Sequence, residues 1–305
     1  MSQHELGSLV RRLRKEHGLT QEQLAEGICS PVSISRIESG RQRPSKALLD
    51  ALMDRLGLDG YQLFESSAGS AKRQAFDRLS QATWNAINHL DADRGRVLLS
   101  DLRSSARETG SPGERQRVLE LEAAALIRSQ DSPEDCMRAL ELLEQGLRLS
   151  QPDIDVHDLE VRLLSSREAE LLSLMVVALH GAGRPMDAIR LGERTLAALR
   201  RQGGLEGRQL VLCLSLMVNL ANILEELGQA KEARTYLDLA RDTSIKEDEL
   251  GLMPFILAGT ARLEFRAGDT TEAASTLRTV AAYLDLCEMH DYAHAIRAWM
   301  RHQGS

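Results

Sequence analysis

A chain of 305 residues, 43% hydrophobic and 27% charged, has the composition of an ordinary globular protein with room for two cores, which excludes the disordered and low-complexity classes. Aromatic residues make up only 3%, strand-favouring runs are absent, and Leu, Ala, Arg and Glu dominate, so an all-α protein is expected. The net charge of −7 is unevenly shared: residues 1–64 carry nine Lys/Arg against eight Asp/Glu, so any attraction to a polyanion has to be local.

The first helix is predicted over Gln3–Glu16, with Leu6, Val10 and Leu13 inward and Gly18 beyond its end. Its residues Arg11, Arg12, Arg14 and Lys15 form a basic strip, of which about half reads as plain solvated surface. This opening stretch has no apolar core long enough for a signal peptide, and no run of 18 apolar residues occurs in the chain, so a cytoplasmic location without membrane contact is expected.

Thr20 and Gln23 are spaced for a capping box on a short second helix whose inward residues are Leu24 and Ala25. Gly27-Ile28-Cys29 breaks the pattern, and Ser30-Pro31 supplies the N-cap and first-turn proline of a third helix. Ile34 and Ile37 share one side of that helix, Pro31, Val32, Ser35 and Arg36 the other, and Gly40 ends it. A helix that enters a major groove about 12 Å wide needs short outward side chains and a basic reader. The candidate DNA contacts are Gln21, whose amide and neighbouring N–H groups suit a phosphate, then Ser30, Pro31, Val32, Ser33, Ser35 and Arg36, with Arg41 and Arg43 at the exit. Cys29, in the turn, reads as a packing residue, with a redox role as the alternative. Ser45 begins a fourth helix with Leu48, Leu49, Leu52 and Leu56 inward, and Asp59–Phe64 makes a short fifth. The stretch ESSAGSA then reads as a hinge, which gives a DNA-binding domain over 1–64 and a linker over 65–71.

The segments TQEQLAE and SISRIESGRQRPS together resemble the Xre/Cro-type helix-turn-helix, with an inter-helix turn one residue shorter than in the phage repressors. That resemblance implies a lambda-repressor-like unit of five helices. The run GICSPVSISRIESG is similar to the DNA-binding ends of Gram-positive peptide-pheromone receptors, the group of PlcR, NprR and Rgg-like regulators. That similarity implies a homodimer on a two-fold symmetric operator in double-stranded DNA, and a short signalling peptide as second partner.

From Lys72 onward amphipathic helices follow one another with short interruptions. Three places match: GRPMDAI at 183–189, GQAKEAR at 228–234 and GDTTEAA at 268–274, each with Ala five residues after Gly, at 188, 233 and 273. A weaker copy, SPEDCMRALELL, places Ala139 similarly. Glycine permits the turn and alanine lets the second helix approach the first. The pattern resembles the tetratricopeptide repeat, so an α-solenoid over 72–305 is expected for ligand binding and dimerisation. Trp84, Leu98, Leu102, Leu119, Leu126, Leu140 and Leu143 are assigned to its core, and Trp299 to a cap over the last repeat or to a dimer surface.

Projecting the repeat register onto the concave face gives Ser173, Val177 and His180, then Asn219, Asn222, Glu225 and Glu226, then Ala258, Arg262 and Arg266 as peptide-binding candidates. Asn222 suits a peptide backbone and Arg262 a carboxylate, and these two are expected to carry much of the binding. The four cysteines lack metal-ligand spacing, His290 and His294 lack a third ligand, and no nucleotide or hydrolase motif occurs, so neither cofactor, metal nor enzymatic activity is expected. Two functions fit: a transcriptional regulator switched by a peptide in its solenoid, or the same regulator with the solenoid as an interaction or dimerisation scaffold. A regulator of phosphorelay type, with repeats that bind another protein, is a weaker third.

Overall fold

The computed structural model describes residues 3–16, 18–42, 44–56, 70–89, 91–109, 111–129, 132–156, 159, 164–201 and 207–303, and every regular element among them is an α-helix. The first four are α1 (Gln3–Glu16), α2 (Gln21–Ala25), α3 (Pro31–Glu38) and α4 (Lys46–Arg55). The capping box forms: the Thr20 hydroxyl accepts the Gln23 backbone N–H at 3.1 Å, while the Gln23 side-chain oxygen Oε1 accepts the Thr20 backbone N–H at 2.8 Å. Ser30 caps α3 by accepting the Ser33 N–H at 3.2 Å, with Pro31 in the first turn. Leu6, Val10, Leu24, Ala25, Ile34, Ile37, Leu49, Leu52 and Leu56 close one core between the four helices.

One close approach in this unit has no periodic signature. A Cβ on Gly7 would lie 2.2 Å from the Ile37 carbonyl oxygen, so α1 crosses α3 where only glycine fits. Gly7→Ala is expected to force the two backbones apart and cost about 1–3 kcal/mol, read as a loss of amide-exchange protection in α1 and α3.

The expected fifth helix at 59–64 lies outside the described residues. Helix α5 (Ser70–Asn88) starts two residues inside the expected linker, because Ser70 and Ala71 continue its first turn. It is followed by α6 (Ala92–Thr109), α7 (Pro112–Ser129), α8 (Pro133–Ser150), α9 (Ser166–Gly181), α10 (Pro185–Arg201), α11 (Gly207–Glu226), α12 (Ala230–Lys246), α13 (Met253–Ala267), α14 (Thr270–Leu286) and α15 (His290–Gln303). These form antiparallel pairs, α5 with α6 through to α13 with α14, and α15 closes the row. The first helices also touch one another in series, α5 to α7, α9, α11 and α13, and so make a continuous inner layer.

The repeat punctuation holds at residue level. Gly183, Gly228 and Gly268 sit in the left-handed region at φ +74°, +76° and +106°, and Ala139, Ala188, Ala233 and Ala273 are fully buried at the helix contacts. A further copy precedes α15, where Glu288 takes the glycine's place at φ +58° and Ala293 is again fully buried. A search keyed on Gly passes over it. Leu102 and Leu143 are fully buried and Leu140 nearly so, whereas Leu98 and Leu119 are half-buried. Helix α11 is long and apolar enough to cross a membrane by composition, yet most of it is enclosed by α9, α10, α12 and α13. Its polar residues Ser215, Asn219, Asn222 and Glu226 fall at helical spacing on one stripe, as suits a central helix with a single open face.

Candidate nucleic-acid interface and inner groove

The outer side of α3 is a row of small exposed groups. Ser30, Pro31, Ser35 and Arg36 are exposed, Val32 is 58% exposed, and Arg41 follows at the helix exit. Arg43 lies outside the described residues. Ser33 departs from its expected role: it is half-buried, and its hydroxyl pairs with that of Ser30 at 2.9 Å, so it belongs to the cap. Gln21 departs as well. Its side-chain amide donates to Glu38 Oε2 at 2.8 Å and ties α2 to α3.

Glu38 is the junction of the unit. Its side chain is 4% exposed and accepts from Arg14 Nε at 2.6 Å and Nη2 at 3.1 Å, while Arg14 Nη1 donates to the Leu19 carbonyl at 2.7 Å. Burial works against the carboxylate's charge, but the hydrogen bonds from Arg14 and Gln21 outweigh it and hold Glu38 below the usual carboxylate range. One buried carboxylate thereby fixes the angle at which α3 stands against α1 and α2. Arg11, Arg12 and Lys15 line a shallow recess on the other side of α1 with Ser8. Cys29 packs against the core, and burial pushes its thiol up and keeps it protonated, which favours the packing role.

Along the inner layer runs a groove of about 940 Å³. Its walls come from the end of α5 (Trp84, Asn85, Asn88), the polar stripe of α11, the inner face of α13 and the open side of α15 (Tyr292, Ile296, Trp299). Both tryptophans of the chain line it, beside Phe255 and Tyr292, in a protein with few aromatics. Trp84, expected as core, packs on the α5–α7 cluster with part of its ring and leaves the rest to the groove. Trp299 stacks edge-on with Phe265 at 5.5 Å, so it covers the last repeat and forms groove wall at once.

Asn219, Asn222, Glu225, Arg262 and Arg266 come together on this wall, and the last four are joined by hydrogen bonds and ion pairs. Arg262 donates to Glu225 Oε2 at 2.8 Å (Nη2) and 3.0 Å (Nε), and to Asn222 Oδ1 at 2.6 Å. Arg266 reaches the Glu225 carbonyl at 3.3 Å and lies 5.9 Å from the Trp299 ring centroid. The two residues expected to anchor a peptide, Asn222 and Arg262, are therefore bonded to one another. The α9 candidates fall elsewhere. Ser173 is buried, Val177 packs on the main core, and His180 bonds Glu226 at 2.9 Å, and none of the three is among the residues that line the groove. Ala258 lines the groove, although most of its surface is buried.

Nearer the N-terminal ends of α7, α9 and α11 a second charged cluster crosses the inner layer. Arg117 and Arg167 (3.2 Å) hold Glu120, and Arg208 Nε donates to Glu170 Oε1 at 2.6 Å, whereas Glu170 Oε2 is buried without a hydrogen-bond partner. Burial, then the neighbouring Glu120, raises the Glu170 pKa to about 7 against the pull of the three arginines. Nothing in the sequence marks these residues out, since they are scattered over 92 positions and meet only through helix packing.

Residues 5–63 match the family described as a helix-turn-helix domain. No curated protein matches the chain in sequence. Among solved structures, PlcR of Bacillus thuringiensis in complex with the peptide PapR7 and DNA aligns over 96% of this chain and 99% of its own, with a TM-score of 0.61 and 18% identity. ComR of S. thermophilus in complex with DNA and its signalling peptide ComS aligns over 98% and 100%, with a TM-score of 0.54 and 16% identity. The apo form of the same PlcR aligns over 97% and 98%, at 0.55 and 17%. Together with the exposed outer face of α3 and the helical-repeat solenoid that follows it, these matches identify a helix-turn-helix domain at the head of a chain that has the fold of PlcR and ComR.

Proposed function

We propose that the chain is a cytoplasmic transcriptional regulator that binds a two-fold operator as a homodimer and changes its DNA binding when a short signalling peptide occupies the inner groove. Residues 1–64 serve as the DNA-binding unit and 72–305 as the ligand-binding and dimerisation unit. The observation that carries this reading is the groove itself: the amides of Asn219 and Asn222 line one wall and suit a peptide backbone, and Trp84, Phe255, Tyr292 and Trp299 offer apolar surface for side chains. It is supported by PlcR and ComR, which share the fold and were crystallised with both DNA and a peptide.

The test is to sequence genomic fragments retained by the purified protein, with and without clarified culture extract from the source organism. Retention at an inverted repeat that shifts with extract supports the reading. Retention indifferent to extract would make the solenoid an interaction scaffold, and no retention even at low salt would remove the DNA-binding role.

On a retained fragment Arg36 and Arg41 should behave differently. Arg36→Ala is expected to weaken binding by about 1–3 kcal/mol and to relax preference at one base pair. Arg41→Ala should weaken all sequences alike and reduce the slope of log K against log salt by about one. Fluorescence anisotropy across a salt series separates the two.

A further inference from the structure

The two ends of the solenoid meet across the groove, and they do so through side chains. Arg128, in the last turn of α7, donates through Nη2 to the Tyr292 hydroxyl of α15, 164 residues further on, and to Asn88 Oδ1 of α5 at 3.5 Å. The same guanidinium lies over the Tyr292 ring, 4.9 Å from its centroid. Among the described residues α15 packs against α14 and, through Tyr292 and Trp299, against Phe255 and Phe265 of α13, and no substantial helix-to-helix interface joins it to α5 or α7. Asn88 and Tyr292 both line the groove, and Tyr292 stands edge-on to Phe255 at 5.1 Å, with Trp84 one turn before Asn88 on α5.

We infer that Arg128, Asn88 and Tyr292 form a latch that holds the solenoid closed around the groove and regulates entry of its ligand; this rests on the reading of the groove as the ligand site. The contact is suited to that task. It joins the first and last parts of the row through one hydrogen-bonded cation on an aromatic face, which can release without disturbing the packing of any helix pair. Coupling to the site is direct, because a ligand side chain that displaces Tyr292 from Phe255 also takes the ring from beneath Arg128. Release and occupancy then favour each other, as linkage requires.

The chain carries its own reporter, since both tryptophans line the groove. Acrylamide quenching is measured on the ligand-free full chain and on Arg128→Met, Tyr292→Phe and the double variant. Each single change is expected to raise the Stern–Volmer constant about twofold, with the double no higher than the larger single, because both act on one contact. Far-UV circular dichroism should remain that of the unaltered chain. If Arg128→Met lowers helicity, Tyr292→Phe decides alone, because it keeps the ring on Phe255 and removes only the hydroxyl. Quenching equal to that of the unaltered chain in a fully helical Tyr292→Phe overturns the latch. No peptide is used, so that result leaves the peptide reading standing, just as DNA retention indifferent to extract would leave the latch standing.

Discussion

Arg14→Met is expected to cost the N-terminal unit about 3–5 kcal/mol, most of the stability of so small a core, because it leaves Glu38 charged, buried and short of its main partner. The loss should be selective. Amide-exchange protection of α1 to α3 and DNA binding should fall, while the thermal transition followed by tryptophan emission, which reports on residues 84 and 299 alone, stays in place. The double variant Arg14→Met with Glu38→Leu should recover much of the loss, since apolar groups of similar size remove the uncompensated charge. The pH dependence follows from Glu38. Its folded value lies below its ordinary value of 4.5, so its contribution is fully present above that value and is lost as pH falls through the lower, folded one. Protection of α3 should therefore weaken in acid in the unaltered chain. Equal protection in Arg14→Met and the unaltered chain at pH 7 would refute the account.

Glu170→Gln is expected to have the opposite effect on the solenoid: a stabilisation of roughly 1–3 kcal/mol at pH 8 and little change at pH 5. The side chain is 16% exposed, and its Oε2 has no hydrogen-bond partner, so its charged form is held at a cost. With the folded value raised from 4.5 to about 7, the folded chain keeps the proton that the unfolded chain releases. The associated stability is complete below pH 4.5 and is lost as pH rises through 7. Glutamine stays neutral at both pH values and keeps an oxygen for Arg208, so the variant should lack that decline. Thermal unfolding followed by tryptophan emission across pH 5 to 8 checks this, and parallel curves for the two proteins would contradict it.

How far the sequence reached depends on the range of each interaction. Capping is local, and the Thr20–Gln23 box, the Ser30 cap and the Pro31 start were all legible because donor and acceptor lie within one turn. Periodicity fixed the inward faces of α1 to α4, and the Gly-to-Ala spacing located the turns at 183, 228 and 268. It failed at Glu288, where a residue other than glycine accepts a positive φ.

Polar side chains with distant partners are where the sequence is least informative. Gln21, expected at a phosphate, bonds Glu38, 17 positions away, and Asn222 and Arg262, expected at a peptide, are joined to one another across 40. A linear pattern states which face a residue occupies and leaves open which neighbour it meets. By itself, then, the sequence determined an all-α chain, its helix starts and repeat turns, and a helix-turn-helix at its head, since these follow from hydrogen bonds and apolar spacing within a few residues. Only the tertiary structure decided that Ser173 and Val177 pack into the core, that Trp84 and Trp299 line one groove, and that Arg128 reaches Tyr292. Those outcomes depend on the curvature accumulated over successive helix pairs, which small rotations at each contact build up and no local stretch encodes.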